Sequence, residues 1–301
     1  MRHVPKSKRR KRPERPLIYH AKQLPAGLYF LATPIGNARD ITLRALDLLA
    51  SADVLAAEDT RSLRKLMEIH GVPLNGRHVI AYHDHNGAQA RPGIIALMEQ
   101  GKSVAYASEA GTPLVADPGF ALCREALARG IPVTSAPGPS AMIAALTISG
   151  LPSDRFLFAG FPPSSQGARL KFFASFAAVP ATLGFYESPK RIHRTLGELC
   201  ETLGENRPAA MCRELTKKFE EVRKGTLREL EESLRDAPVK GEIVLLVGRA
   251  EAEEVSEADL EADLAEALGR LSVKDAAHEV AAKHGLKKRD VYQMALGMSG
   301  K

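Results

Sequence analysis

The chain has 301 residues, 45% of them hydrophobic and 26% charged, with a net charge of +6. That length suffices for two compact domains. No apolar run reaches the ~20 residues of a membrane span, and no apolar stretch follows the basic N-terminus as in a secretory signal, so a cytoplasmic protein with no membrane partner is expected.

The first sixteen residues carry eight Lys or Arg against one Glu; without them 34 basic residues face 35 acidic ones. Residues 1–24 are read as a basic tail, too charged and proline-broken to bury a core and so disordered when free. It serves either as an electrostatic arm for phosphates or as a plain solubilising extension.

From Gly27 onward, β-rich runs alternate with helical ones. GLYFLATPIG predicts a strand and turn, TLRALDLLASA a helix, DVLAAED a strand, and 61–69 a helix. VIAYHD, a helix at 93–99, SVAYASEAG, a helix at 120–128, PVTSAP and a helix at 140–148 complete the first half. Such alternation implies an α/β fold with a mainly parallel sheet over residues 25–150. SGLPSDR is the expected boundary to a second α/β domain, 151–250.

That second domain is read as FLFAGF, a helix at 167–177, ATLGFYES, a helix at 189–203, then PAAMCREL, FEEVRKGTL, a helix at 227–235 and GEIVLLVG. Its short links make antiparallel pairing plausible. Residues 251–301 form a C-terminal helical segment, acidic at first and then basic. There Ser272 stands three residues before Asp275 as in a capping box, and Gly285 separates two helical stretches in a helix-turn-helix-like outline.

The usual nucleotide motifs are missing. No two of the 24 glycines are separated by one residue, which removes G-x-G-x-x-G, and GVPLNGRH lacks the lysine and hydroxyl of a P-loop. Instead, Gly/Pro-rich turns ATPIGN, SEAGTPLVADPG and APGPSA close three predicted strands. In an open parallel sheet, ligands bind outside the strand ends, and such turns let the backbone approach closely. An uncharged pocket of backbone amides suits an adenine and a zwitterionic amino-acid tail better than a triphosphate. The three cysteines, Cys123, Cys200 and Cys212, are scattered and read as buried apolar groups. The His83-x-His85 pair lacks the further ligands of a metal site, and no metal is expected.

LATPIGNARDIT, AAEDTR, SEAGTPLVADPG, APGPSA and FYESPKRI, in this order, resemble the ribosomal-RNA-methylating branch of the tetrapyrrole methylase superfamily. The resemblance covers nearly everything from Gly27 to Gly248. It implies two α/β domains of the tetrapyrrole methylase type with a cofactor cleft between them. It also implies S-adenosyl-L-methionine as donor, 2′-O-methylation of a cytidine in the decoding region of small-subunit (16S) ribosomal RNA, and a homodimer. The substrate is either the free RNA or the assembled small subunit.

Cofactor contacts carried over by the resemblance fall on Ile35, Ala110, Gly111, Thr112, Val115, Ser140, Ala141, Glu187 and Leu215. The chain departs from tetrapyrrole-methylating members at Gly111-Thr112-Pro113, where they read Gly-Asp-Pro, and at Tyr186-Glu187, where they tend to read Tyr-Met. Both departures agree with the RNA branch. A tetrapyrrole C-methyltransferase is the alternative, and a ribosome-binding protein with a vestigial pocket a third reading.

A ribose hydroxyl is weakly acidic and benefits from a nearby base or polarising group. Glu58, Asp59, Arg61, His83 and Glu109 stand at strand ends facing the inferred cleft, with Asn86 close by, and are the catalytic candidates. Asp59 with Arg61 reads equally as a helix cap and a surface ion pair. RNA-binding candidates are Asn37, Arg39, Lys190, Arg191 and Lys217, with Lys218 beside it, and Lys287, Lys288 and Arg289 in the C-terminal segment. They position phosphates or are ordinary exposed side chains.

Overall fold

A computed structural model describes residues 19–299 apart from 117–118, 236–237, 251–256 and 285. The chain through Arg249 makes one compact unit and the chain from Ala250 a second.

The first unit opens with five strands, β1 (Gly27–Leu31), β2 (Val54–Ala57), β3 (Val79–Ala81), β4 (Ser103–Ala107) and β5 (Val133–Ala136). They form an all-parallel sheet ordered β3-β2-β4-β1-β5. Strand alternation divides the core in two. Leu31, Leu55 and Ala105 join Leu46, Leu49, Leu63 and Met67 of helices α1 (Leu43–Ser51) and α2 (Thr60–Ile69) on one face. Leu28, Phe30, Val104 and Tyr106 join Ile94, Met98, Leu122 and Ala126 of α3 (Gly87–Glu99) and α4 (Phe120–Ala128) on the other. Parallel strands covered on both faces need such uninterrupted apolar runs.

Helix α3 begins at Gly87, six residues before the expected Gly93, and carries Pro92 inside it. Arg91-Pro92-Gly93 reads locally as a breaker, yet Ile94, Ile95 and Met98 are buried in the core, and their packing outweighs the proline.

The second sheet comprises β6 (Phe156–Gly160), β7 (Thr182–Glu187), β8 (Pro208–Arg213), β9 (Glu221–Thr226) and β10 (Ile243–Val247), ordered β6-β7-β10-β8-β9. β6 and β7 are parallel; β10 pairs antiparallel with β7 and β8, and β8 with β9. Helices α6 (Gln166–Ala174), α7 (Ile192–Leu203) and α8 (Leu227–Leu234) cover one face through Phe173, Leu196, Leu199 and Leu230. A capping box not foreseen in the sequence starts α8: Thr226 Oγ1 accepts from Glu229 N–H while the Glu229 carboxylate accepts from Thr226 N–H.

The other face is covered from the first half. Met142, Ala145 and Leu146 of α5 (Ala141–Ser149) pack with Ala210, Cys212, Val244 and Leu246. Gly184 makes room for this, since a Cβ there would stand 2.3 Å from Met142 Sδ. Burial in the same cluster pushes the Cys212 thiol up to about 11. α5, from the first half, thus completes the core of the second sheet and ties the halves into one unit.

The tail expected to be disordered over 1–24 needs correction at its end. Tyr19 and Leu24 pack on the α1 side of the core, His20 N–H donates to Asp47 Oδ1 (2.6 Å), and Lys22 N–H donates to Ser51 Oγ (3.0 Å). Residues 1–18 lie outside the described residues.

The second unit holds α9 (Glu257–Leu268), α10 (Val273–His284) and α11 (Lys288–Met298) around Leu264, Ala276, Ala277, Val280, Val291 and Ala295. The acidic part of this segment, from Glu257, forms a helix of its own beside the pair outlined in the sequence. Asp275 N–H donates to Ser272 Oγ (3.3 Å), and that hydroxyl donates to Asp275 Oδ2 (2.6 Å). No described helix is long and apolar enough to cross a membrane.

Candidate active site

Three turns after β1, β4 and β5 interlock at the carboxyl ends of the parallel strands. Thr33 and Gly111 exchange two backbone hydrogen bonds (2.9 and 3.0 Å). Ser108 Oγ donates to Gly111 O (2.7 Å) and Thr112 Oγ1 to Pro139 O (2.9 Å). Gly111 has φ +84°, the left-handed region where a side chain is strained, and a Cβ there would lie 3.4 Å from Ile35 Cγ2. Leu114 and Ala116 also have positive φ (69° and 61°), so this turn stores strain beside the cleft.

These turns form one wall of a cleft of about 490 Å³, within the range of small-molecule sites. Ile35, Ala110, Gly111, Thr112, Val115, Ser140 and Ala141 line it from the first half, and Glu187 and Leu215 from the second. The sequence did not point to the rest of the second wall, which is Phe161, Tyr186, Ser188, Pro189 and the run Gly241 to Val244; Ala116 of the first wall was missed as well. The antiparallel register sets Ile243 opposite Glu187 and Val244 opposite Tyr186. FYES and GEIV each read as a strand, but nothing in the sequence fixes how they pair.

The second wall is held in place by ion pairs. Glu187 is buried, and its carboxylate accepts from Ser188 N–H (2.7 Å), Arg191 Nε (2.8 Å) and Thr195 Oγ1 (2.6 Å). Its side chain is thus committed to the protein. Lys217 Nζ donates to Glu214 Oε1 and Glu242 Oε2, both 2.8 Å, and Glu214 also accepts from Glu242 N–H (3.0 Å). The Lys217 ammonium and that backbone N–H hold the Glu214 carboxyl below its ordinary range. Glu214 and Thr216 have φ 52° and 63°, and Thr216 Oγ1 accepts from Asn37 N–H (3.1 Å). This loop lies so close to the first turn that a Cβ on Gly36 would meet Lys217 Cγ at 2.5 Å.

The catalytic candidates separate. Glu58 and Glu109 line the cleft, and Glu109 N–H donates to Glu58 Oε2 (3.0 Å). Asp59 caps α2, accepting from Arg61 N–H (2.7 Å) and Ser62 N–H (3.3 Å), and those bonds lower its carboxyl pKa. Arg61 pairs with it at 3.3 Å and is otherwise exposed. Both line a neighbouring hollow of about 550 Å³ that meets the cleft at Glu109. His83 lines neither; its N–H donates to Asn86 Oδ1 (2.8 Å), and its Nδ1 is buried with no hydrogen-bond partner among the described residues.

Several RNA-binding candidates prove to be engaged. Arg191 and Lys217 serve the pairs above, and Asn37 Oδ1 accepts from Arg39 N–H (3.1 Å). Arg39 and Lys190 are exposed, as is Lys218, whose Nζ lies 5.4 Å from the Phe219 ring centroid. In the second unit Lys287, Lys288 and Arg289 are exposed at the start of α11. Among the described residues no cluster of three or more His, Cys, Asp or Glu could hold a metal ion.

Residues 27–231 match the Tetrapyrrole (Corrin/Porphyrin) Methylases, and residues 254–299 match the RsmI C-terminal HTH domain. Ribosomal RNA small subunit methyltransferase I of Mesorhizobium japonicum is 50% identical over 92% of this chain and 93% of its own length. The protein of that name from Escherichia coli O157:H7 is 41% identical over 91% of this chain and 96% of its own. Among solved structures, the methyltransferase CobJ superposes with TM-score 0.58 at 20% identity, covering 75% of this chain and 95% of its own. Diphthine synthase does so with 0.57 at 17%, covering 73% and 89%. At such identities the likeness concerns the fold alone.

Proposed function

The chain belongs to the ribosomal RNA small subunit methyltransferase I family within the tetrapyrrole methylases, and on that premise we propose that its cleft carries 2′-O-methylation of a cytidine ribose. It is an S-adenosyl-L-methionine-dependent methyltransferase acting on 16S ribosomal RNA. The observation that carries the site assignment is the convergence of three Gly/Pro turns on one wall with two carboxylates, Glu58 and Glu109, at its edge.

The residues fit the cofactor. Ile35, Ala110 to Thr112, Val115, Ser140, Ala141 and Leu215 hold it, with Gly111 leaving open the space a Cβ would fill. Glu187 acts through its buried bonds, fixing Ser188 and Arg191 behind the wall. When bound, the cofactor supplies an electrophilic methyl on a sulfonium. Glu58, oriented by the Glu109 N–H, takes the proton of the ribose hydroxyl; of the five candidates, these two line the cleft. Asp59 and Arg61 shape the adjoining hollow, and His83 has no part in the reaction.

Residues 25–150 and 151–250 act as the two domains of the cleft. Arg39, Lys190, Lys218 and the α11 start at Lys287, Lys288 and Arg289 contact RNA phosphates, joined by the basic tail. A second copy of the chain is the proposed partner, supported by Phe120 and Leu127, 65% and 59% exposed and seven residues apart on α4. An RNA substrate supports a cytoplasmic location. Tritium transfer from labelled cofactor tests the reading: counts should enter unmodified small subunits and not uroporphyrinogen, and the reverse would favour a tetrapyrrole methylase.

A further inference from the structure

We propose that Phe161 is the stacking platform for the base of the acceptor nucleotide, an inference that rests on the RNA-methylating reading above. Among the large apolar side chains of the cleft, Ile35, Leu215, Ile243 and Val244 are no more than 9% exposed, whereas Phe161 is 58% exposed. A lone exposed Phe is ordinary on a protein surface. This one stands in the cleft that also holds Glu58 and Glu109, backed edge-on by Tyr186 at 5.4 Å, which in turn packs on Phe158 at 4.7 Å.

The loop that carries the ring is fixed from behind. Arg169, fully buried, pairs with Glu198 and donates from Nη1 to the carbonyls of Pro163 (3.2 Å) and Ser164 (2.9 Å). Arg191, held by Glu187, donates to Pro162 O (3.1 Å). Two prolines restrict the loop further. Burying a charge pair is costly, and the carbonyls these arginines reach are those of the segment after Phe161. Held in this way, an exposed ring is preorganised to meet a flat ligand. Single-stranded or flipped-out bases are recognised by stacking on such rings, and the exposed position favours the nucleotide arriving from solvent over the adenine of the cofactor.

The test uses the full chain with Phe161→Ala, Phe161→Leu and Phe161→Trp, each checked by thermal melting. Calorimetry with S-adenosylhomocysteine reads the cofactor site, and binding and KM for unmodified small subunits read the acceptor site. The Ala and Leu variants should weaken subunit binding and raise KM roughly 10-fold or more, Trp should restore both, and cofactor affinity should stay unchanged in all three. Loss of cofactor affinity with an unchanged KM would give the ring to the adenine instead. A Leu variant equal to wild type, or an Ala variant without effect, would overturn the stacking role. Wild-type protein that transfers no methyl to small subunits would overturn the functional reading and this inference together.

Discussion

The two walls of the cleft are made by different means. The wall from the parallel sheet is backbone: Gly/Pro turns, two hydrogen bonds between Thr33 and Gly111, and hydroxyls of Ser108 and Thr112 on carbonyls. The wall from the mixed sheet is held by ion pairs, Glu187 with Arg191, Lys217 with Glu214 and Glu242, and Arg169 with Glu198 behind it. Uncharged amides at strand ends can hold a small cofactor without a counter-ion. A wall that faces RNA gains from charges whose partners are already fixed, since an acidic side chain left unpaired there would repel phosphate.

Breaking the buried pair should have the largest effect. Arg169→Met leaves Glu198 uncompensated and should cost about 3–5 kcal/mol in denaturant unfolding. Adding Glu198→Leu should recover much of that stability but leave subunit binding weak, because the 162–164 carbonyls lose their donor. If the double variant binds subunits normally, the pair serves stability alone. Glu58→Gln should lower kcat by roughly 100-fold or more while leaving the calorimetric affinity for S-adenosylhomocysteine intact, whereas Glu109→Gln, whose N–H remains, should do far less.

On the backbone wall, Gly111→Ala places a Cβ at φ +84° beside Ile35. It should cost roughly 1–2 kcal/mol of stability and weaken cofactor binding more than subunit binding. The smallest effect concerns pH. Because the folded-state carboxyl of Glu214 titrates below its unfolded value, its contribution is present above the ordinary carboxylate range and is lost as pH falls through the lower folded value. Glu214→Gln should therefore cost at most about 1 kcal/mol at neutral pH and flatten the acid limb of stability against pH.

The backbone wall was legible because a Gly/Pro turn after an apolar strand is a local signal, and parallel topology sends such turns to one end of the sheet. The exchange between walls was less so. Arg191 and Lys217 read as cations free for phosphate, although Glu187 stands four residues before the first and Glu214 three before the second; Glu242, 25 residues from Lys217, becomes its neighbour only through the fold. Arg169 drew no attention at all, since nothing local joins it to Glu198, 29 residues away. Gly184, unremarkable within ATLGFYES, decides that α5 can lie across the second sheet. At α3 a local signal misled, because burial of Ile94 and Met98 overrides Pro92.

The most direct measurement is nucleoside mapping by mass spectrometry after reaction of wild-type protein with unmodified small subunits and S-adenosyl-L-methionine. The account predicts a single new 2′-O-methylcytidine, resistant to alkali at its 3′ linkage; a methyl carried on a base would contradict it.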